Sequence, residues 1–363
     1  MSKQKLMIEA ELPLSRFTTF RVGGPARYYL RVTSRQALID SVAWVKEHDL
    51  PLFILGGGSN LLVADHGFPG LVLHIDMRGA ERDTDHGAVL LTAAAGENWH
   101  ELVTHIVARN WAGVECLVGI PGQVGATPIQ NVGAYGQEIK DTLYRVEALD
   151  LRTGQVRGFT NEECNFNYRK SRFKAEDRGR YIILSVTLRL IPGGEPKLFH
   201  DELERHLKAR EFDPPKIADV AATVLDLRKR KSMILREEDR NTCSVGSFFV
   251  NPILDETQFA VLLEAIQPYM KEDERIPNYP TQEGKIKVSA AWLIEHAGYS
   301  RGYVHGNVGL STRHALALIN RGGATAGEIL GFAREIRNRV CDRFGILLVP
   351  EPTLVGMSFD EED

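Results

Sequence analysis

Apolar and polar positions change rhythm several times along the chain. Ala26–Val32 alternates like a strand, whereas Arg35–Asp49 places Leu38, Val42 and Val45 on one helical face. Leu52–Leu55 is a short apolar strand that stops at Gly56-Gly57-Gly58, and Val89–Ala95 predicts another buried strand. Trp99–Asn110 reads as an amphipathic helix behind a Gly-Glu-Asn start. From Leu143 to Leu190 strands dominate: Tyr144–Leu151, a Thr153-Gly154 turn, Val156–Phe159, then Tyr181–Leu190. The run Ile191–Pro196 (IPGGEP) breaks this pattern and reads as close to a domain edge. Helical stretches follow at Leu203–Arg210, Val220–Lys231, Ala290–His296, His314–Ile319 and Ala326–Phe344, with Ile346–Val349 as a final strand. The mixture is α+β without a regular βαβ period.

Composition narrows the function classes. The 363 residues are 43% hydrophobic and 25% charged, with 44 Lys+Arg against 48 Asp+Glu, a net charge of −4. Such a balance exerts no long-range pull on nucleic acid or anionic membrane, so an anion has to be held by local groups. No apolar run approaches a membrane span, and the first fifteen residues are too polar for a secretory signal. Four dispersed cysteines without a CxxC pair fit free thiols in a reducing compartment. A cytoplasmic protein with no nucleic-acid or membrane partner is expected.

Two glycine-rich loops carry the candidate chemistry. The first, Gly56-Gly57-Gly58-Ser59-Asn60, follows a strand and can aim several N–H groups into one concavity, a nest for phosphate. Taken alone it is equally compatible with a bare turn. It is not a P-loop, because Ser59-Asn60-Leu61 stands where Lys-Ser/Thr is needed, and Leu61 replaces the third glycine of a dinucleotide fingerprint. The second, Gly119–Gly136 (GIPGQVGATPIQNVGAYG), has five glycines in 18 residues, with Pro121 and Pro128 stiffening it and Gln130 and Asn131 adding amides. Poor in charge yet rich in backbone donors, the pair suits a dinucleotide held mainly by main chain. FAD is favoured, since no separate nicotinamide fingerprint is visible.

These loops, together with Thr18–Ala26 (TTFRVGGPA), Leu55–Leu62 (LGGGSNLL), Tyr168-Arg169 and Gly246–Asn251 (GSFFVN), resemble the UDP-N-acetylenolpyruvoylglucosamine reductase family. The resemblance runs in consistent order from about Leu14 to Gly356 and is to the branch with an extra segment on the substrate side. It implies an α+β fold: a two-part FAD-binding domain of the vanillyl-alcohol-oxidase type and a smaller α+β substrate-binding domain. The implied division is 1–70 as the first FAD-binding part with 346–363 returning to it, 71–231 as the second, and 232–345 for substrate.

The resemblance also implies a reaction of peptidoglycan precursor synthesis. NADPH reduces noncovalently bound FAD, and hydride passes to the enolpyruvyl group of UDP-N-acetyl-3-O-(1-carboxyvinyl)-glucosamine, giving UDP-N-acetylmuramate. Negative charge then develops beside the substrate carboxylate, calling for fixed donors there and an acid at the adjacent carbon. Ser247 corresponds to that acid, and Arg169 and Glu351 to the carboxylate's stabilisers. On residue type alone, Ser247 also fits a Gly-Ser turn, Arg169 a solvated basic run with Lys170, Arg172 and Lys174, and Glu351 an exposed position between Pro350 and Pro352. Beside a substrate carboxylate, Glu351 should have a raised pKa.

Cofactor contacts fall by the same resemblance on Leu55, Gly56, Gly57, Gly58, Ser59, Asn60, Leu61, Pro121, Gly122, Val124, Gly125, Ala126, Pro128, Ile129, Asn131, Gly133 and Ile183. Substrate contacts fall on Tyr135, Tyr168, Arg228, Lys231, Asn251 and His200. Arg228 and Lys231, three apart in a basic run, share a face if both are helical. His200 stands where the branch presents a tyrosine that clamps the diphosphate, and a histidine there makes the clamp pH-sensitive. His100 and His105 mimic a zinc motif, but five-residue spacing splays them by ~140° on a helix. His66 and His74 lie near the first loop, yet the family binds FAD without a covalent link, and no metal is expected. A monomer with a small UDP-sugar as partner is expected. The alternative is another FAD-dependent oxidoreductase, such as an alcohol or lactone oxidase, on the same scaffold.

Overall fold

The longest strand, Tyr181–Pro192, is the centre around which the first half of the chain is organised. Its first four residues are buried, after which Val186, Leu188 and Leu190 alternate with more exposed neighbours. It pairs antiparallel with Leu143–Asp150 on one side and Ala88–Ala94 on the other, with Val146 opposite Val186 and Thr187 opposite Thr92. Val156–Thr160 and Ala80–Asp85 complete the five-strand path, and Trp111–Ala112 pairs with the far end of the central strand. Ala80–Asp85 (AERDTD) is almost wholly exposed; a charged edge strand lacks the apolar face that would reveal it in sequence and resists edge-to-edge association.

The computed structural model describes residues 6–281 and 283–360, and the chain divides into two units. The first comprises the described residues up to Leu12, Ala26–Gly58 and Pro69–Arg230; the second comprises Pro13–Pro25, Ser59–Phe68 and the described residues from Lys231 onward.

In the first unit a second sheet runs Glu9–Pro13, Pro25–Val32, Phe68–Ile75, Leu52–Leu55, the last two parallel. Helix Arg35–Glu47 starts where Ser34 accepts a hydrogen bond from the Ala37 N–H (3.2 Å) and buries Leu38, Val42 and Val45. Helix Trp99–Ala108 is capped in the same way by Asn98 and buries Trp99, Leu102, Val103 and Ile106. Each such side chain contributes about 1.5–3 kcal/mol by leaving water. Helix Ile217–Arg230 buries Ile217, Val220, Val224 and Leu227, the stripe expected of a helix with one apolar face. The unit runs on through the Ile191–Pro196 break to Arg230.

The second unit is built on helix Ala326–Phe344, which buries Ile329, Leu330, Phe332, Ala333, Ile336, Val340 and Phe344. Thr325 and Glu328 form a capping box, and the Asp65 carboxylate accepts from the N–H groups of Ala326 (2.8 Å) and Gly327 (2.9 Å). Three-stranded sheets, Ile253–Leu254 with Ile286–Val288 and Asn278–Pro280, and Val304–His305 with Val308–Leu310 and Leu318–Asn320, flank helices Glu256–Ile266 and Ala290–His296 in the chain. The Gly23-Gly24-Pro25 element is a close approach: a methyl on Gly24 would lie 2.1 Å from the Asp65 carbonyl oxygen.

Three local expectations differ from the structure. His314–Ile319 is a turn closed by Ala317 N–H to the His314 carbonyl (3.1 Å), leading into strand Leu318–Asn320. Ala315 to Ile319 are all buried, so the apolar run has no periodicity to separate helix from strand. Ile346–Val349 is extended but belongs to no ladder; the final strand is Thr353–Val355, parallel to Leu61–Val63. Its exposure still alternates, with Leu347 and Val349 outward and Ile346 and Leu348 inward, which explains the strand-like pattern. Finally, helix Ile217–Arg230 stops one residue before Lys231, so helical spacing does not relate Lys231 to Arg228.

Candidate active site

Strand Leu52–Leu55 delivers the first glycine loop against the second. A methyl on Gly57 would lie 2.7 Å from the Gly122 Cα, and one on Gly56 would lie 3.2 Å from Gln123 Oε1. The two backbones therefore meet where any side chain would intrude. Among the described residues, the Gly57 and Gly58 N–H groups make no hydrogen bond to another part of the chain. Gly58 has a φ of 63° and Gly122 one of 118°, so both turns use left-handed backbone.

The second loop donates less than its glycine content promised. Val124 N–H bonds the Glu97 carbonyl (2.9 Å), Gly125 N–H that of Ala95 (2.9 Å) and Ala126 N–H that of Gln123 (3.0 Å). The first two amides hold the loop to the unit and the third closes a turn within it, so positions 124–126 offer a ligand close backbone approach rather than donors. The Asn131 side chain is spent too: its amide donates to Glu138 Oε2 (2.9 Å) and the Asn167 carbonyl (3.1 Å), and its oxygen accepts from Lys140 N–H. Fully buried, Asn131 is a scaffold of the loop through its side chain. Leu55 and Ile183 are core positions of their strands, in register with His74 and Ala148 respectively.

Arg169 is anchored on this loop. Its guanidinium donates to the Gly133 carbonyl (2.7 Å) and the Asn131 carbonyl (3.5 Å), and lies 4.0 Å from Glu138 Oε1 and 5.1 Å from the Tyr168 ring centre. A guanidinium presents five N–H donors in a planar fork, the geometry that grips a carboxylate. Asn131, Tyr135 and Arg169 all have φ between 47° and 53°. Left-handed backbone at non-glycine residues costs about 1–2 kcal/mol each and concentrates at functional sites.

Tyr135 and His200 meet edge to face, with ring centres 5.1 Å apart at 67°. The preceding Phe199 packs so tightly that a methyl on Gly136 would lie 2.7 Å from its Cβ. Burial pushes the Tyr135 phenol up to about 12, so it is a neutral hydrogen-bonding group at physiological pH. Arg228 lies against the start of the second loop, its Nε 3.3 Å from where a Gly119 methyl would be. Although Arg228 is only half-buried as a residue, burial of its guanidinium lowers its pKa to about 10, still charged at neutral pH.

In the second unit, Ser247 and Glu351, 104 positions apart in the sequence, lie on neighbouring chains. Glu351 N–H donates to the Phe248 carbonyl (2.8 Å), Val250 N–H to that of Val349 (3.0 Å), and Phe249 bridges Pro350. Phe248 N–H is fixed to the Leu316 carbonyl (2.8 Å), and Gly246, with a φ of 75°, turns the chain just ahead of Ser247. Asn60 Nδ2 donates to the Glu351 carbonyl (3.4 Å), and Leu61 pairs with Thr353. Asn251 Oδ1 accepts from Ala290 N–H (3.0 Å) at the start of helix Ala290–His296, which makes it a cap as well as a candidate contact.

Residues 26–160 match the family model of the FAD binding domain, and residues 238–355 match that of the UDP-N-acetylenolpyruvoylglucosamine reductase C-terminal domain. The UDP-N-acetylenolpyruvoylglucosamine reductase of Streptomyces coelicolor is 44% identical over 350 residues, covering 96% of this chain and 90% of the relative. The chain belongs to the UDP-N-acetylenolpyruvoylglucosamine reductase family. The reductase of Thermobifida fusca is 43% identical, with 96% of this chain and 98% of the relative covered. The crystal structure of a reductase of this family from Thermus caldophilus matches with a TM-score of 0.63 at 25% identity, covering 97% of this chain and all of the other.

The reductase fold is thus the α+β one expected, with an FAD-binding domain and a C-terminal domain of its own. The glycine cradle fits FAD, because it is bare of side chains at Gly56 and Gly57 and presents unspent N–H groups to a diphosphate. No cluster of metal-ligating side chains is found among the described residues, and His100 is used otherwise, its Nδ1 accepting from Gly119 N–H (3.1 Å). His74 Nδ1 is bonded to the Tyr29 hydroxyl (2.7 Å). Sequence reasoning missed Glu138 and Gln123. Their signal was present: Glu138 is a lone carboxylate closing a loop otherwise free of charge, and Gln123 follows the glycine that meets Gly57.

Proposed function

We propose that the protein reduces UDP-N-acetyl-3-O-(1-carboxyvinyl)-glucosamine to UDP-N-acetylmuramate with NADPH, through FAD, in peptidoglycan precursor synthesis. The observation that supports this reading is the backbone pairing of the segment that carries Ser247 with the segment that carries Glu351, within a family-matched domain. Gly56 to Gly58 and the Gly122 turn would hold the FAD diphosphate, with Leu55, Ser59, Asn60, Leu61, Pro121, Val124 to Ala126, Pro128, Ile129, Gly133 and Ile183 around it. Bound FAD supplies the hydride.

The chain's own side chains do the rest. As the alkene is reduced, charge builds toward the substrate carboxylate, where Arg169 offers a fork of donors and Glu351 a second hydrogen-bonding group. Ser247 gives its proton to the adjacent carbon, a centre basic enough to take it. Arg228 and Lys231 neutralise the UDP diphosphate, and that anion would oppose the lowering that burial imposes on Arg228. Tyr135, Tyr168 and Asn251 complete the grip on the sugar nucleotide, with His200 as the wall against which Tyr135 packs.

The division of labour assigns 1–70 with 346–363, and 71–231, to FAD, and 232–345 to substrate. We further propose that the enzyme acts as a cytoplasmic monomer; no helix among the described residues is long and apolar enough to cross a membrane. The test is stopped-flow absorbance of both half-reactions. Purified protein should be yellow, bleach with NADPH and regain colour rapidly on addition of the enolpyruvyl sugar nucleotide. Colourless protein, or recolouring only by oxygen, would refute the assignment, the latter in favour of an oxidase.

A further inference from the structure

The chain after strand Thr353–Val355 folds back onto the segment that carries Ser247. Phe359 is buried, and its ring lies edge-on to Phe249 (6.2 Å between centres, 88°) and tilted against Phe248 (6.4 Å, 41°). Those two phenylalanines follow Ser247 directly, touch each other (5.1 Å, 67°) and are themselves fully buried. Phe20 closes the other side of Phe248 (6.4 Å, 58°). Helix Ala326–Phe344 clamps the tail from outside. Arg334 donates to the carbonyls of Ser358 (2.9 Å) and Phe359 (3.0 Å), and Arg337 covers the Phe359 ring at 4.6 Å while bonding Asp360 (2.6 Å).

The Phe248 backbone is also the hydrogen-bond partner of Glu351 and Leu316, so the aromatic cluster and these bonds together fix the segment that carries Ser247. Removing one ring from a packed aromatic cluster lets the others shift into part of the void it leaves. A proton donor is sensitive to such shifts, since displacement by about 1 Å can cost ~100-fold in rate.

We propose that Phe359, held by Arg334 and Arg337, is a positioning residue for proton transfer from Ser247, so that the tail Ser358–Asp360 is part of the reductase's catalytic apparatus. The inference rests on the assignment of Ser247 as acid. It concerns one half-reaction only: NADPH oxidation involves no proton from Ser247.

The experiment compares F359A, F359L and R337A holoenzymes by stopped flow, reading flavin reduction by NADPH and reoxidation by the enolpyruvyl sugar nucleotide, in H2O and D2O. F359A should keep flavin reduction within about twofold and slow reoxidation by about 10- to 100-fold. Its solvent isotope effect on reoxidation should exceed that of the unaltered enzyme, because the proton step then limits the rate. F359L should recover most of the loss, and R337A should show about a threefold slowing of the same half-reaction only. Equal slowing of both half-reactions, or an unchanged isotope effect, would overturn the proposal. If F359A does not fold, unaltered reoxidation in R337A does so instead. S247A is the control: if it leaves reoxidation fast, the acid assignment has failed, whereas slow S247A with fast F359A and R337A sinks only the tail's role.

Discussion

Arg169 in the first unit and Ser247 in the second are held by opposite means. Arg169 hangs from a polar network of the Gly133 and Asn131 carbonyls, with Glu138 close by and the Asn131 amide tying Glu138 to Asn167. Ser247 lies in a loop segment whose next residues, Phe248 and Phe249, are fixed by aromatic packing and backbone pairing. The difference suits the roles proposed for them. A guanidinium that meets a carboxylate gains from having some donors already committed, which leaves it fewer orientations to lose. A hydroxyl asked to protonate carbon gains from a fixed position, since a displacement of about 1 Å can cost ~100-fold in rate.

The sharpest way to break this contrast is Ser247→Ala. Reoxidation of reduced flavin by substrate should slow by about 10²–10⁴-fold, with flavin content and NADPH reduction nearly unchanged. Equal loss in both half-reactions, read by stopped flow, would contradict the role. Arg169→Ala should behave differently, because the side chain also supports the glycine loop. We expect about a 100-fold loss in kcat/KM together with a lower flavin content per protein, since two charge-assisted bonds to carbonyls at about 1.5–3 kcal/mol each disappear. Full flavin occupancy in Arg169→Ala would show that the loop does not depend on that network.

The same contrast predicts different acid responses. In the first unit, the Arg180 guanidinium is the main cause that lowers Asp150 to about 2, through bonds of 2.7–3.3 Å, and Arg180 also reaches Asp177, which pairs with Arg172. A depressed carboxylate stabilises the fold above its unfolded pKa of about 3.9, and the gain is lost as pH falls through the folded value near 2. Asp150→Asn should therefore lower thermal stability at pH 7 by about 1.5–3 kcal/mol and flatten the stability profile below pH 4. Calorimetry across pH 2–7 reads both; an unchanged profile in the variant would assign the acid sensitivity elsewhere.

Much of the site was legible because glycine and proline speak through composition. LGGGSNLL and GIPGQVGATPIQNVGAYG stand out against any background, and the structure brings Gly57 within a methyl's width of Gly122. What composition could not show is how the donors are spent. Nothing in the sequence says that the Val124 and Gly125 amides serve the Glu97 and Ala95 carbonyls, or that the Asn131 side chain reaches the Asn167 carbonyl, because those partners lie in other segments. Ala80–Asp85 stayed hidden because an exposed edge strand has no apolar face, and His314–Ile319 misled because a wholly buried run has no period. Phe359 was invisible for a related reason: one aromatic near a polar tail carries no pattern, and its meaning comes from the two rings it meets.

His200 tests the contrast at its weakest point. It is a substrate candidate in the polar unit, yet it reaches Tyr135 through ring packing, and Phe199 presses on Gly136 beside it. An edge-to-face pair of this kind contributes about 0.5–1.5 kcal/mol beyond area burial. His200→Ala should therefore raise KM for the sugar nucleotide by about 2- to 10-fold while kcat and flavin content stay as they were, because Tyr135 loses a wall and no reacting atom loses a partner. His200→Phe keeps the ring pair and should restore KM. If His200→Phe instead resembles the alanine variant, the imidazole touches the diphosphate itself, and His200 belongs with Arg228 as a direct ligand rather than with Phe359 as a packing wedge.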